Sequence, residues 1–307
     1  MRIATIDVGT NSTRLLIADA KNGKVEQIFK TGRVTRLGEG VKKTGKLSKE
    51  GIERTIETLK EFKELAKEYS VEKIIVATTE AARLAENAED FISKVENLGL
   101  EIEILSDREE AELVFTANVL HFNPSGKAMT VDLGGGSTEI VFGSKDKVEY
   151  LRSLKFGVVF LHETFIKSDP PKESELKEME TFIRNELVKV KEKILQENFV
   201  VYAVGGTITS VVAMEERMTV YKPEIVHGYV VTENLIKKWY QRLFSMTIEE
   251  RKKIVGLEEN RADVIIPGLA FFSIFCEVFK KDKLTVSELG LLYGLALKEA
   301  VKCHQKG

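Results

Sequence analysis

One pattern occurs twice in this chain. Residues 6–17 read I-D-V-G-T-N-S-T-R-L-L-I, and residues 131–142 read V-D-L-G-G-G-S-T-E-I-V-F. The two align without a gap. Asp7 matches Asp132, Gly9 matches Gly134, Ser12 matches Ser137 and Thr13 matches Thr138, 125 residues apart. A period this long is not that of a solenoid repeat; it points to a duplicated domain with one hairpin at the same place in each half. Each copy is an apolar strand ending in Asp, a small-residue turn and a second apolar strand. Glycine lets backbone approach a ligand closely, and successive N–H groups in such a turn can form an anion-binding nest. Asp132 is a hard oxygen ligand of the kind Mg²⁺ takes beside phosphates. Short glycine motifs have a high false-positive rate, so two readings stand at this point: a phosphate-and-metal hairpin, and a tight turn with no ligand.

The elements around the hairpins favour an α/β fold. Strands are expected at 2–8, 13–20 and 24–33, with Asn22-Gly23 as a hairpin turn. The Gly- and Lys-rich segment 31–47 reads as an exposed loop, with Arg33 and Arg36 as either an ordinary solvated face or a basic rim for a polyanion. Apolar residues at helical spacing predict a helix over 48–69 capped by Ser48. A strand at 73–77, short helices at 79–84 and 88–95 with Asn87 as a cap, and a strand at 101–105 follow. Ser106 and Glu109 form a capping box for a helix running to about His121. This order indicates a mixed sheet covered by helices.

Asn123-Pro124-Ser125-Gly126 breaks the chain. The boundary is placed there, giving domains 1–122 (with about 288–307 packing back) and 123–287. The second half repeats the pattern: strands at 127–132, 138–142 and 148–154, a helical stretch at 157–165 and a long helix at 173–195. A buried strand at 199–204 then runs into Gly205, Gly206 and Thr207. Helix N-termini favour anions, but a plain strand-to-helix turn is the simpler reading of G-G-T. Arg261, at the start of an apolar helix reaching Phe279, could bind phosphate or solvate a helix end. A strand at 284–287 and a helix at 288–301 close the chain. The apolar run 264–279 contains Pro267, Gly268 and Glu277 and is short for a bilayer, so no membrane partner is expected.

Net charge is −2 over 307 residues, and nothing in it asks for a nucleic-acid partner. Two cysteines and no visible signal peptide point to the cytoplasm. The sequence leaves the oligomeric state open and is compatible with a homodimer.

Two Asp–Gly–Ser/Thr hairpins opening successive domains resemble the actin-like (ribonuclease H-like) phosphotransferase superfamily. The pieces D-V-G-T-N-S-T-R-L, R-L-G-E-G-V, T-E-A-A-R-L-A-E-N, I-L-S-D-R-E-E-A, V-D-L-G-G-G-S-T-E and V-G-G-T-I-T, in this order, resemble the exopolyphosphatase / guanosine pentaphosphate phosphohydrolase family in its short two-domain form. The resemblance implies duplicated actin-like domains with a cleft between them. It implies Mg²⁺-dependent hydrolysis of the terminal phosphoanhydride of polyphosphate, of guanosine pentaphosphate, or of both, with guanosine tetraphosphate as a further ligand. The family's catalytic Glu falls in E-E-A. Glu109 serves the capping box, and Glu110, directly before Ala111, matches the family position and would activate the attacking water. Asp132 would hold Mg²⁺, Glu139 would support metal or water, and Asp7 would reach metal through water.

Phosphates would lie on the turn N–H groups of Gly9, Thr10, Asn11 and Ser12 and of Gly134, Gly135, Gly136 and Ser137. The Ser12, Ser137 and Thr138 hydroxyls would assist. Arg14 takes the position that Glu139 takes in the other copy, so one hairpin carries a cation for phosphate oxygens and the other an anion for metal or water. Where the family carries an Arg near the last helix, S-E-L-G-L-L-Y-G has Leu292. A kinase of the same superfamily, with an adenosine pocket at Gly205–Thr207, and a non-catalytic sensor of guanosine tetra- or pentaphosphate are the alternative functions.

Overall fold

The computed structural model describes residues 1–21, 24–195 and 198–305; the expected turn at Asn22-Gly23 lies outside them. The chain forms two compact units, Met1–Ala117 with Leu291–Gly307, and Asn118–Gly290.

The first unit opens with β1 (Arg2–Val8), β2 (Ser12–Lys21) and β3 (Lys24–Val34), an antiparallel meander. Then come α1 (Val41–Thr44), α2 (Lys49–Glu68), β4 (Lys73–Thr78), α3 (Glu80–Leu84), α4 (Ala88–Glu96), β5 (Ile102–Ile104) and α5 (Asp107–Phe122), whose residues from Asn118 on belong to the second unit. Strands β4 and β5 join β1 in parallel, giving the order β3-β2-β1-β4-β5. Side chains alternate across a strand, and here both faces are apolar. Leu15 and Ile17 pack with Phe62 and Phe91 of the helices on one side. Leu16, Ala18 and Ala20 pack on the other against Leu292, Ala296 and Ala300 of the closing helix, Leu291–Gln305. Leu292 is thus a core residue that seals the sheet, which accounts for an aliphatic side chain at this position.

The second unit contains β6 (Lys127–Leu133), β7 (Thr138–Gly143), β8 (Val148–Leu154), α6 (Val158–Phe165), α7 (Glu173–Lys191), β9 (Phe199–Val204), α8 (Gly206–Glu215), α9 (Pro223–Val226), β10 (Val230–Thr232), α10 (Glu233–Leu243), α11 (Ile248–Arg251), α12 (Ile265–Phe279) and β11 (Lys283–Ser287). Its sheet order is β10-β11-β9-β6-β7-β8. Removing β10 leaves β11-β9-β6-β7-β8, the strand order of the first unit with the same parallel and antiparallel pairings. The duplication read from two hairpins therefore extends to both sheets, and each is a mixed sheet covered by helices. The apolar stretch 264–279 is core: Phe271, Phe272, Phe275 and Phe279 of α12 are almost wholly buried, each worth about 2–3 kcal/mol in water-excluded area. Among the described residues no helix is long and apolar enough to cross a membrane.

Several expectations needed correction. Segment 31–47 is not an exposed loop: β3 runs to Val34, α1 forms a single turn, and Thr35, Leu37, Val41 and Leu47 are buried. Ser48 caps α2 as expected, accepting from Gly51 N at 3.1 Å, but Asn87 makes no cap hydrogen bond to α4. Its amide instead pairs with both backbone groups of Leu47, at 2.8 and 3.1 Å. Helix α7 stops at Lys191, where the chain tightens to bury Ile194 while Leu195 stays exposed. The apolar helix begins at Ile265, and Arg261 ends a separate 3₁₀ turn, Glu259–Arg261. The last helix begins at Leu291 rather than Glu288.

Candidate active site

Both hairpins close in the same way. Gly9 N donates to Ser12 O at 3.0 Å, and Gly134 N donates to Ser137 O at 3.1 Å. A Cβ on either glycine would lie 3.1 Å from that same serine carbonyl. In both turns the carbonyls are tied back to the protein. Thr35 N and Arg36 N donate to Asn11 O at 3.1 and 2.9 Å, and Gly38 N to Thr10 O at 2.9 Å. In the second hairpin Val158 N donates to Gly134 O and Val159 N to Gly135 O, both at 2.9 Å. The first turn of α6 is therefore spent on the hairpin. Gly157 is required there, because its Cβ would sit 2.4 Å from Gly134 O.

Three carbonyls in each turn, those of Thr10, Asn11 and Ser12 and those of Gly134, Gly135 and Ser137, are thereby engaged. Among the described residues, Thr10, Asn11, Gly135, Gly136 and Ser137 donate no N–H to a backbone acceptor. Consecutive turn amides without a backbone acceptor are the donors from which anion-binding nests are built.

The Ser12 and Ser137 side chains sit partly exposed at the turn ends. Thr138 does not. It is fully buried, and its hydroxyl donates to Phe156 O at 2.7 Å. Its counterpart Thr13 is likewise buried, with its hydroxyl 2.9 Å from that of Thr35. The phosphate role expected for the Thr138 hydroxyl is thus corrected to a structural one: the strand pleat turns it into the core.

The rungs behind the turns differ. In the first unit Asp7 opposes Arg14, and Arg14 opposes Gly32 on β3. A Cβ at Gly32 would meet Arg14 Cγ at 3.3 Å, so the glycine leaves space for the long side chain. In the second unit Asp132 opposes Glu139, and Glu139 opposes Ser153, whose hydroxyl donates to Glu139 Oε1 at 2.8 Å. Like charges directly opposite on an antiparallel pair are destabilising, so the Asp132–Glu139 rung favours a cation.

Glu110 lies in the first turn of α5. Glu109 serves the helix start, as expected: its carboxylate accepts from Ser106 N at 2.9 Å and from the Ser106 hydroxyl at 2.7 Å. The backbone bond first, then the hydroxyl bond, hold its carboxyl below the usual range. Glu110 is partly buried, and Arg83 Nη1 lies 3.6 Å from its Oε2. Arg83 is itself fixed by Leu105 O and the Asp107 carboxylate. In the sequence Arg83 stands within the run T-E-A-A-R-L with no local signal of a role. The same applies to Glu80, whose Oε2 lies 3.5 Å from the Thr10 hydroxyl.

The junction of β9 and α8 brings Gly205, Gly206, Arg261 and Asp132 together. Gly205 has φ 105° and its Cβ would sit 2.5 Å from Leu133 O and 3.4 Å from Asp132 Oδ1. Only glycine is tolerated there. Arg261 Nη1 occupies the space above Gly206, 1.6 Å from where a Cβ would be, while Arg261 Nε donates to Glu258 at 2.7 Å. A cation thus stands at the N-terminus of α8. Thr207 is buried, its hydroxyl 2.1 Å from a would-be Gly268 Cβ, so it packs α8 on α12. Of the basic rim, Arg33 is engaged by Glu61 and lies over the Phe62 ring; Arg36 is exposed, with φ 49°.

Residues 16–302 match the model of the Ppx/GppA phosphatase family. Exopolyphosphatase 2 of Mycobacterium tuberculosis is 33% identical over 315 residues, covering 97% of this chain and 98% of that protein. Guanosine-5′-triphosphate,3′-diphosphate pyrophosphatase of Vibrio vulnificus is 29% identical over 306 residues, covering 98% of this chain and 60% of that protein. Among solved structures, the Aquifex aeolicus Ppx/GppA family member superposes with a TM-score of 0.91 at 42% identity, covering 98% of both chains. An exopolyphosphatase from Cytophaga hutchinsonii gives 0.87 at 25% identity, also covering 98% of both.

Proposed function

This chain belongs to the Ppx/GppA phosphatase family, and we propose that it hydrolyses the terminal phosphoanhydride of inorganic polyphosphate, of guanosine pentaphosphate, or of both, in a Mg²⁺-dependent reaction with Glu110 as the base. The observation that carries this reading is the pair of hairpins with matching amide edges and opposite charges behind them, Arg14 in one and Glu139 in the other.

Phosphoryl transfer is mainly positioning and charge stabilisation. The turn N–H groups and the Ser12 and Ser137 hydroxyls bind phosphate oxygens, and Arg14 and Arg261 neutralise their charge. Glu110, oriented by Arg83, accepts a proton from water as the water oxygen attacks the terminal phosphorus. The bridging P–O bond breaks, orthophosphate leaves and the shortened chain keeps the bridging oxygen. The donor set at Asp132 and Glu139 fits Mg²⁺, which is held by one or two carboxylates with water and phosphate oxygens completing the shell. Among the described residues no group of three or more His, Cys, Asp or Glu competes as a closed metal cage. When bound there, Mg²⁺ supplies positive charge to the phosphate oxygens.

The test is phosphate release in Mg²⁺ from polyphosphate, guanosine pentaphosphate and ATP, separately. Free orthophosphate from one of the first two is expected, with a loss of about 10²–10⁴-fold in Glu110→Ala. Phosphate appearing on an acceptor would make the protein a kinase, and binding without turnover would make it a sensor. Wild-type rates in a folded Glu110→Ala would remove Glu110 from the chemistry.

A further inference from the structure

Arg251 heads the largest fully buried side chains among the described residues, at 2% exposed. A guanidinium so deep is costly unless every bond is made. Burial pushes its pKa down and the charges of Asp169 and Asp263 push it up, in that order. Its Nε donates to Met246 O at 3.1 Å, its Nη2 to Asp169 Oδ1 at 3.3 Å, and its Nη1 to Ala262 O. Asp169 also accepts from Ile248 N, at 2.9 and 3.0 Å, at the start of α11. The Ala262 carbonyl directly follows Arg261, the cation over the N-terminus of α8.

The chain on either side of Arg261 docks on α8 at three glycine contacts. A Cβ on Gly256 would lie 2.1 Å from Ala213 O, one on Gly206 would overlap Arg261, and one on Gly268 would overlap Thr207. Between Gly256 and Gly268, Arg261 sits on the short 3₁₀ turn Glu259–Arg261, which has no side-chain cap. The bond from Arg251 holds the carbonyl next to it.

We propose that Arg251, braced by Asp169, is a positioning residue: it holds the 259–262 segment so that the Arg261 guanidinium stays over Gly206, where it meets substrate phosphate. This rests on the assignment of Arg261 to the phosphate site. Arg251 touches no substrate and acts through the Ala262 carbonyl.

The experiment is a double-mutant cycle on the hydrolysis reaction, with Arg251→Lys and Arg261→Ala made singly and together and thermal unfolding measured for all. Lysine keeps the charge but cannot reach Met246 O, Ala262 O and Asp169 at once. Losing one charge-assisted contact to phosphate is expected to lower kcat/KM by about tenfold or more in Arg261→Ala, chiefly through KM. Arg251→Lys is expected to lower it severalfold alone, and to change it no further once Arg261 is gone, while its Tm loss is the same in both backgrounds. Asp169→Asn, a milder change, is expected to follow the same pattern. Additive losses in the cycle would overturn the positioning role, because a general loss of folded protein does not depend on Arg261. Unchanged kcat/KM in Arg261→Ala would overturn the phosphate role of Arg261 itself, a separate outcome.

Discussion

The two hairpins share a backbone and differ in charge. Their closing hydrogen bonds agree within 0.1 Å, at 3.0 and 3.1 Å, and both use a buried threonine, Thr13 or Thr138, to tie the second strand into the core. Behind the turns the same rung reads Asp7–Arg14–Gly32 in one unit and Asp132–Glu139–Ser153 in the other. A neighbouring junction differs too. The strand-to-helix step after β9 carries Gly205 and Gly206 with Arg261 above them, whereas the one after β4 carries Thr79 and Glu80. The two copies keep the same backbone pairings while the side chains on matching rungs differ in charge. On the proposed reading, the amide edge of each hairpin binds phosphate, the cation on the first rung clamps substrate, and the second carboxylate on the other rung holds metal.

The largest expected effect breaks the symmetry at the two aspartates. Asp132→Asn removes a proposed metal ligand and is expected to lower kcat/KM by about a hundredfold or more, whereas Asp7→Asn, whose rung neighbour is a cation, costs about tenfold or less. Steady-state phosphate release on both variants checks this, and equal losses would mean that the two rungs are not specialised. Next is Gly205→Ala. Its positive φ and the 2.5 Å approach to Leu133 O predict a stability loss of about 2–4 kcal/mol, read as a fall in denaturant midpoint. Thr79→Ala at the matching junction is expected to cost far less.

A smaller effect separates neighbours in one turn. Thr138→Val removes a buried hydroxyl bond and should cost about 1–2 kcal/mol of stability with little change in KM. Ser137→Ala should do the reverse, raising KM at unchanged Tm. Smallest of all, Glu109→Gln should lower Tm slightly and leave kcat in place, because Glu109 serves the helix start and Glu110 is the proposed base. Equal kcat losses at the two positions would count against that division.

The duplication was legible because it is written in contiguous residues: Asp, Gly and Ser-Thr recur in order, and strand alternation follows from local pattern. The Glu109 cap was legible for the same reason, since a capping box is local, whereas the role of Glu110 rests on the family resemblance. Arg83 was not, because its partners Leu105 and Asp107 lie more than twenty residues away and reach it only through the fold. The direction of the Thr138 hydroxyl was also hidden. Spacing says that it follows Ser137, but only the pleat says that it faces Phe156. In segment 31–47 the glycines and lysines masked the anchors Leu37, Val41 and Leu47, whose burial depends on packing against Ile52 and Phe62 of α2 and their neighbours.

The most direct test of the divided hairpins is the Mg²⁺ activation curve of phosphate release, measured with Glu139→Gln and Arg14→Ala. Glu139→Gln is expected to shift the Mg²⁺ half-activation concentration up by about tenfold or more with a smaller change in substrate KM, and Arg14→Ala is expected to raise substrate KM with the Mg²⁺ curve in place. A Mg²⁺ curve that moves with Arg14 and not with Glu139, or that moves equally with both, would contradict the account.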